Sequence, residues 1–391
     1  MNRAAFGTAR LAIAVAVLSN PSWAWQERLS REGAFWVQAV SGSEAAFPGG
    51  RLRVSTTGRV SVTGSDEAAV QYQFVKKVRA RTEAEARKLL GQFLIRAGRQ
   101  ADLTSIEVIH GAGNGSTELM VRTPRRMRDI LVDTRGGAVD ATDLDGSLQV
   151  HTGGGRIRLD RIGGAVVART AGGEVQLGKI SGPVRCISAG GIIRADQILG
   201  ETRFETAGGD IAVREVQGKF VASTAGGGIR IGRAGAAVSV NTAGGQIHVG
   251  SATGAVLAES LGGPIFIGSA AGVRCETGGG AIQVTNVSGS LHATTSVGDI
   301  VASLARGDIA ADSYVSTGAG DITIFLPDGL GLTIQAQNRS LEGLRRIISE
   351  FPNVTVRRQG SLTVAEGSIN GGGPLLRLSG SGGTIYIKRQ E

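Results

Sequence analysis

The sequence predicts an all-β protein whose body is a parallel β-solenoid of 18-residue, two-strand coils, with one short amphipathic helix in its N-terminal region. Three observations predict it. The first is a phrase that recurs from about Asp133 to Phe325, reading TRGGAV, TGGGRI, TAGGEV, SAGGII, TAGGDI, TAGGGI, TAGGQI, SLGGPI, TGGGAI, TSVGDI and TGAGDI. Its second glycine falls at Gly137, Gly155, Gly173, Gly191, Gly209, Gly227, Gly245, Gly263, Gly280, Gly298 and Gly320, with seven gaps of 18 residues followed by 17, 18 and 22. A fixed period of this length marks a solenoid or array. The second observation is the aliphatic pattern. Val139, Ile157, Val175, Ile193, Ile211 and their successors stand two positions after the glycine, and a second apolar column stands four positions after it. Such alternation is a strand with one buried face. The third is a hydroxyl three positions before each of these glycines, from Thr134 through Ser188 and Ser260 to Thr317. A hydroxyl placed once per coil beside a turn bonds the backbone there, or its neighbour one coil away.

The chain divides in order. Residues 1–24 read as a secretory signal peptide: Arg3 and Arg10 precede the apolar run Leu11–Leu18, and Ser22 and Ala24 are the small residues of a cleavage site. That run is too short to span a bilayer, and the absence of a nearby cysteine argues against a lipoprotein. The expectation is an exported protein, periplasmic or at the cell surface, with no transmembrane segment in the mature chain.

Residues 25–130 form a β-rich capping region. RLRV and GRVSV read as short strands, and AVQYQFVKKVRA as a longer one with Val70, Tyr72 and Phe74 on one face. Thr82 to Glu85 is a capping box, and Ala86, Leu89, Leu90, Phe93, Leu94 and Ala97 follow at helical spacing, which predicts a helix over about 83–97 with Gly98 as its stop. Residues 131–325 are the repeat array. A second glycine per coil, as at Gly164, Gly200 and Gly218, opens a further alternating run. Each coil is therefore two strands and two turns, with glycine expected at the turns for its backbone freedom. About ten coils at roughly 4.8 Å each make a rod about 50 Å long. Residues 326–391 close the chain, and their Ser340 to Ile348 stretch fits a short helix or a turn and strand equally well.

Chemistry is sparse. Cys186 and Cys275 share a buried column with Ala168, Ala222, Val240 and Ala258, five coils apart, so they sit roughly 24 Å from one another and cannot bridge. Two free buried thiols are expected. A calcium-binding β-roll requires a regular aspartate after each glycine turn, whereas Asp210, Asp299 and Asp321 come from scattered coils. His110, His151, His248 and His292 lack metal-ligand spacing. Asp140, Asp160 and Asp196 recur near one another but mixed with Arg, Gln and Gly, so no acid pair of a carbohydrate-active β-helix stands out. No phosphate loop and no nucleophile elbow occurs in the array, and no cofactor is expected.

The net charge of +9 suits anionic partners. Arg158, Arg194 and Arg230, with Arg185, Arg203 and Arg274, are the candidate polyanion-binding surface, the alternative being a charged coat that keeps the rod soluble. The partner expected is an anionic envelope polysaccharide or another surface protein, and not nucleic acid.

The TAGGxIxV phrase, the early FPGGRLRV–GRVSV segment and the ending DITIFLPDG…SEFP…INGGG…GGTIYIKR resemble the bacterial putative-adhesin β-strand-repeat family. That family is a domain of unknown function found on exported proteins. The resemblance covers most of residues 47–391 and implies a β-solenoid with a cell-envelope or extracellular role. It supplies no catalytic residues. The arginine-rich, acid-poor surface departs from the family pattern and leaves the partner open. Together these features predict a non-enzymatic, adhesin-like or structural binding rod, with a carbohydrate-active or polyanionic-glycan-binding β-helix as the alternative.

Overall fold

The computed structural model describes residues 28–109, 115–307, 311–339 and 347–390. The expected signal peptide, His110 and residues 340–346 lie outside the described residues. What remains is two long, mostly parallel sheets facing each other across a thin aliphatic core.

Each coil contributes one strand to each sheet, and the pairing follows the period residue for residue. In sheet A, Val175–Ile180 pairs with Ile193–Ile198 in the register Val175↔Ile193 and Leu177↔Ala195. In sheet B, Val166–Thr170 pairs with Val184–Ser188 in the register Ala168↔Cys186 and Thr170↔Ser188. The two aliphatic columns predicted after the glycine are buried throughout. A third buried column was not foreseen: Leu144, Ile162, Ile180, Ile198 and Val216 stand seven positions after the glycine, out of phase with the first two. Parity changes because sheet A strands bend near their ends. In three coils Asp143, Arg161 and Asn286 mark the bend with φ of 62°, 53° and 50°, and in all of the coils named two successive side chains face outward before the third turns in.

Volume is balanced between columns. Phe204 follows Cys186 and precedes Ala222 in one column, while Phe220 follows Thr202 and precedes Val238 in the next. The two rings meet edge to face at 5.7 Å between centroids. Large residues thus sit beside small ones, as a close-packed interior requires.

The hydroxyl ladder makes both of its predicted bonds at once. Thr224 Oγ1 donates to the Gly209 carbonyl of the preceding coil at 3.0 Å and accepts the Gly227 amide of its own turn at 3.2 Å. Thr152, Thr170, Thr206, Thr242 and Thr277 repeat this arrangement, and Ser188 and Ser260 do so with serine. One side chain therefore closes its turn and ties it to the coil below.

The reason for the turn glycines differs from expectation. Of the eleven second glycines, only Gly298 and Gly320 have positive φ, and both are at the extended margin near 150°. Close approach decides instead: a Cβ on Gly155, Gly173 or Gly191 would lie 1.9–2.0 Å from the carbonyl oxygen of the glycine one coil below. The first glycine of the phrase has no such constraint, since Gly154, Gly172, Gly190 and Gly208 meet nothing within 4 Å.

The parallel stack continues into both flanking regions, where the coils leave chain order. Arg51–Thr56 and Arg59–Ser65 form a coil that pairs on one side with Asp129–Thr134 and Val139–Leu144. On the other side it pairs with Leu103–Ile109 and Gly115–Pro124, which come later in sequence. The C-terminal end repeats the device. The last strands, Leu375–Gly380 and Ile385–Gln390, slot between Ser313–Ala319/Ile322–Pro327 and Leu332–Arg339/Ile347–Ser349. Each end is thus closed by a coil gripped on both sides. Antiparallel strands lie beyond, Phe35–Ala45 with Ala69–Arg79 at one end and Leu362–Ile369 with Thr355–Gln359 at the other. These antiparallel pairs cover coil edges that would otherwise be open to pairing.

The helix is shorter than predicted, spanning Glu83–Leu90. Thr82 Oγ1 accepts the Glu85 amide at 3.3 Å, and Glu85 reaches back to the Arg81 amide at 2.9 Å. Gly91, not Gly98, ends it. Leu94–Gln100 instead forms an antiparallel strand with Leu103–Ile109, because pairing at the sheet edge outweighs a weak local helical preference. Of the predicted helical face, Ala86, Leu90 and Phe93 are buried and Leu94 is exposed. Of Ser340–Ile348, Ile347 and Ile348 belong to the strand Ile347–Ser349.

Both cysteines are free and buried, five coil steps apart along the register Cys186↔Phe204, Phe204↔Ala222, Ala222↔Val240, Val240↔Ala258 and Ala258↔Cys275. Burial pushes the Cys186 thiol up to about 12. It also raises the Cys275 thiol, with a smaller contribution from the Glu276 carboxylate.

Candidate binding surfaces

Because the interior is filled by aliphatic columns, chemistry is confined to the outward side chains and the turns. On sheet A the column three positions after the glycine runs Asp140, Arg158, Gln176, Arg194, Ala212, Arg230, His248 and Phe266. On sheet B the corresponding outward column includes Val167, Arg185, Arg203, Val221 and, farther along, Leu257, Arg274 and His292. The six predicted arginines are all exposed but divide between opposite sheets, so they form two separate groups and not one strip.

Four of the six are matched by carboxylates. Arg194 pairs with Glu174, Arg203 with Glu205, Arg185 with Glu205 at 3.8 Å, and Arg274 with Glu276 at 2.8 Å. Arg158 and Arg230 have no ion pair among the described residues. Much of the local positive charge is thereby neutralised at short range, though exposure keeps each pair weak.

Sheet A carries a notch of about 390 Å³ lined by Arg158, Asp160, Gln176, Gly178, Arg194 and Asp196. It exists because Gly178 stands between two aspartates in one outward column. Here acids from nearby coils do meet arginines, the arrangement a carbohydrate-active β-helix would need. The state of those acids decides what it can do. Asp160 Oδ1 accepts the Lys179 amide at 3.0 Å and the other oxygen pairs with Arg161. Asp196 pairs with Arg214, whose hydrogen bond holds the carboxyl below its ordinary range. The carboxyls that depart from that range, Asp102, Asp143 and Asp196, all move downward. Glycoside hydrolysis requires one carboxyl held protonated near neutrality, and Arg214 moves Asp196 the other way.

Sheet B carries a larger groove of about 580 Å³ that sequence reasoning missed. Its outward wall is the column Asn241, Glu259, Glu276 and Thr294, one residue per coil in register. The opposite wall is the row of turns at Ala243, Leu261 and Gly278, with Ser296 beyond. The ladder residues Thr242, Ser260 and Thr277 lie along it. Leu261 is 75% exposed at a turn position held in neighbouring coils by alanine, glycine or serine. That exception was the legible signal.

The histidines are scattered. His248 and Phe266 are neighbours on sheet A with centroids 6.4 Å apart, and His292 pairs in register with Arg274 on sheet B. His151 Nδ1 lies 3.1 Å from Asp133 one coil below. The three aspartates that follow turn glycines serve the backbone: Asp210 accepts the Gly228 amide, Asp299 the Asp321 amide and Asp321 the Thr384 amide, at 2.7–2.8 Å.

No family model and no curated protein matches the sequence. Solved structures do. A putative adhesin from Parabacteroides distasonis is 9% identical with a TM-score of 0.31, covering 89% of this chain and 96% of its own. A putative cell adhesion protein from Clostridium sporogenes is 10% identical with a TM-score of 0.16, covering 90% and 99%. A putative lipid binding protein, also from Parabacteroides distasonis, is 8% identical with a TM-score of 0.19, covering 90% and 97%. At these TM-scores the likeness says nothing about what this chain binds. No helix among the described residues is long and apolar enough to cross a membrane.

Proposed function

We propose that this chain is a non-enzymatic binding rod of the cell envelope, adhesin-like in holding its ligand along an outward sheet face. The observation that carries this reading is the notch over Gly178. It gathers polar side chains as a ligand site does, yet Asp196 is kept ionised by Arg214 and Asp160 is tied to Arg161 and the Lys179 amide. The arrangement offers hydrogen bonds, and Asp196 so held is not a general acid. The reading is tested by incubating the purified protein with envelope polysaccharide, measuring binding by calorimetry and new reducing ends by assay. Binding without cleavage is expected. Cleavage that Asp160→Asn and Asp196→Asn abolish would establish the carbohydrate-active alternative and sink this one.

A polyanionic ligand is a second reading, favoured by Arg158 and Arg230, which lack carboxylate partners among the described residues. It requires binding that weakens steeply with salt and falls in the Arg158→Ala/Arg230→Ala double variant. Export rests on the leader-like sequence of residues 1–24, and N-terminal sequencing of the secreted protein is expected to begin at Trp25.

A further inference from the structure

We infer that the groove on sheet B is a second binding site, built for a neutral, hydroxyl-rich chain such as an uncharged polysaccharide. The inference extends the binding-rod reading to the face opposite the notch and needs nothing from the notch itself.

Asn241, Glu259, Glu276 and Thr294 stand in line on adjacent coils, so hydrogen-bonding groups recur at the strand spacing of roughly 4.8 Å. A repeating ladder of this kind suits a polymer whose own polar groups repeat. Glu259 and Glu276 face one another in register, and like charges directly opposite cost stability. Arg274 offsets this at Glu276, at 2.8 Å, while Glu259 has no ion pair among the described residues. An exposed carboxylate accepts hydrogen bonds at both oxygens, so adjacent hydroxyls of one sugar ring match it.

The facing wall supplies the complement. Leu261 projects into solvent between Ala243 and Gly278, a lone large apolar side chain over a low floor. A ligand seated there meets acceptors along one edge and an aliphatic surface on the other. Sugar rings have this division, with hydroxyls at the rim and C–H groups on a face. The volume, about 580 Å³, lies within the range of small-ligand sites.

Charge separates the occupants. A polyanion would meet Glu259 and Glu276 at contact distance. A cationic chain would meet a protein of net charge +9, with Arg274 bordering the groove. A neutral chain incurs neither repulsion.

The test uses the whole protein against a panel of neutral gluco-, galacto- and manno-oligosaccharides, with oligolysine and polygalacturonate as charged comparisons. Wild type is expected to bind at least one neutral glycan with little dependence on salt. Glu259→Ala and Leu261→Arg are each expected to weaken that binding about tenfold or more, while Arg99→Ala, on the exposed N-terminal strand Leu94–Gln100 and outside both sites, leaves it unchanged. Circular dichroism and urea midpoints of the variants, matched to wild type, exclude unfolding as the cause. Neutral-glycan binding that both groove variants leave intact overturns the groove assignment and leaves the binding-rod reading standing. No binding to any neutral glycan overturns it as well, and binding to oligolysine alone, abolished by salt, makes the groove a site for cations.

Discussion

Replacing Gly209 with alanine and, separately, Gly208 with alanine isolates why the repeated phrase carries two glycines. A Cβ on Gly209 would lie 2.2 Å from the Gly191 oxygen and 2.5 Å from its carbonyl carbon, where ordinary contact begins at 3.4 Å. The shortfall of about 1.2 Å is against backbone, which has no rotamer to relax into. Relief requires the two coils to separate at a point held by the bond from Ile193 N to the Asp210 oxygen, at 2.9 Å. Thr206 adds its own pair there, donating to the Gly191 oxygen at 3.1 Å and accepting the Gly209 amide at 3.3 Å. Overpacking costs about 1–3 kcal/mol, and two weakened hydrogen bonds cost about 1 kcal/mol each. Gly209→Ala is therefore expected to destabilise by about 3–5 kcal/mol. Gly208 meets nothing within 4 Å and has no left-handed φ, so Gly208→Ala is expected to be neutral or to stabilise by about 0.4–1 kcal/mol through the unfolded chain. Urea unfolding followed by circular dichroism measures the difference. Hydrogen exchange localises it, since in a stacked array each coil answers mainly to its neighbours. Equal costs for the two variants, or a silent Gly209→Ala, would refute the close-approach account. The second turn shows the same close approach at Gly200 and Gly218, where a Cβ would lie 2.5 Å from the glycine carbonyl one coil below; the coil that carries Ala236 departs from that row.

Thr224→Val keeps the shape of the ladder residue but strands the Gly209 carbonyl and the Gly227 amide, and a loss of about 1–3 kcal/mol in the same urea assay is expected. Asp143 is lowered to about 2 by its hydrogen bond with Arg161. A carboxyl depressed on folding adds stability above its unfolded value, near 3.9, and that contribution is lost as pH falls from about 4 towards 2. Asp143→Asn should therefore lower stability at neutral pH and flatten the acid limb of a stability–pH curve; an unchanged acid limb would count against the pairing. Cys186 and Cys275 are expected to resist iodoacetamide in the folded protein and to give two modified thiols per chain in urea, counted by mass spectrometry. Labelling of the native protein would show that the core opens.

Much of the rod was legible because its grammar is local. Period, strand faces and hydroxyl column all follow from residues within one coil, and stacking identical coils leaves little freedom in pairing. The capping box at Thr82 was local too, and Thr82 and Glu85 close the helix start as their spacing predicts. The helix end was not, since Leu94–Gln100 answers to Leu103–Ile109 across a sheet edge and not to helical spacing. The arginines illustrate the same limit for the candidate sites. Their columns were readable, but a one-dimensional list does not say that Arg158 and Arg185 lie on opposite sheets, or that Glu174 and Glu205 neutralise their neighbours.

By itself, then, the sequence determined the coil: its length, its buried faces and the hydroxyl that closes it. Tertiary structure decided the order of coils at the two ends, where Arg51–Ser65 and Leu375–Gln390 are inserted between segments distant in sequence. It also decided the purpose of the second glycine, and which outward side chains converge into a notch or a groove. The physical reason is shared. Each depends on what a residue meets one coil away, and contact across the stack is set by pairing partners that chain order does not specify.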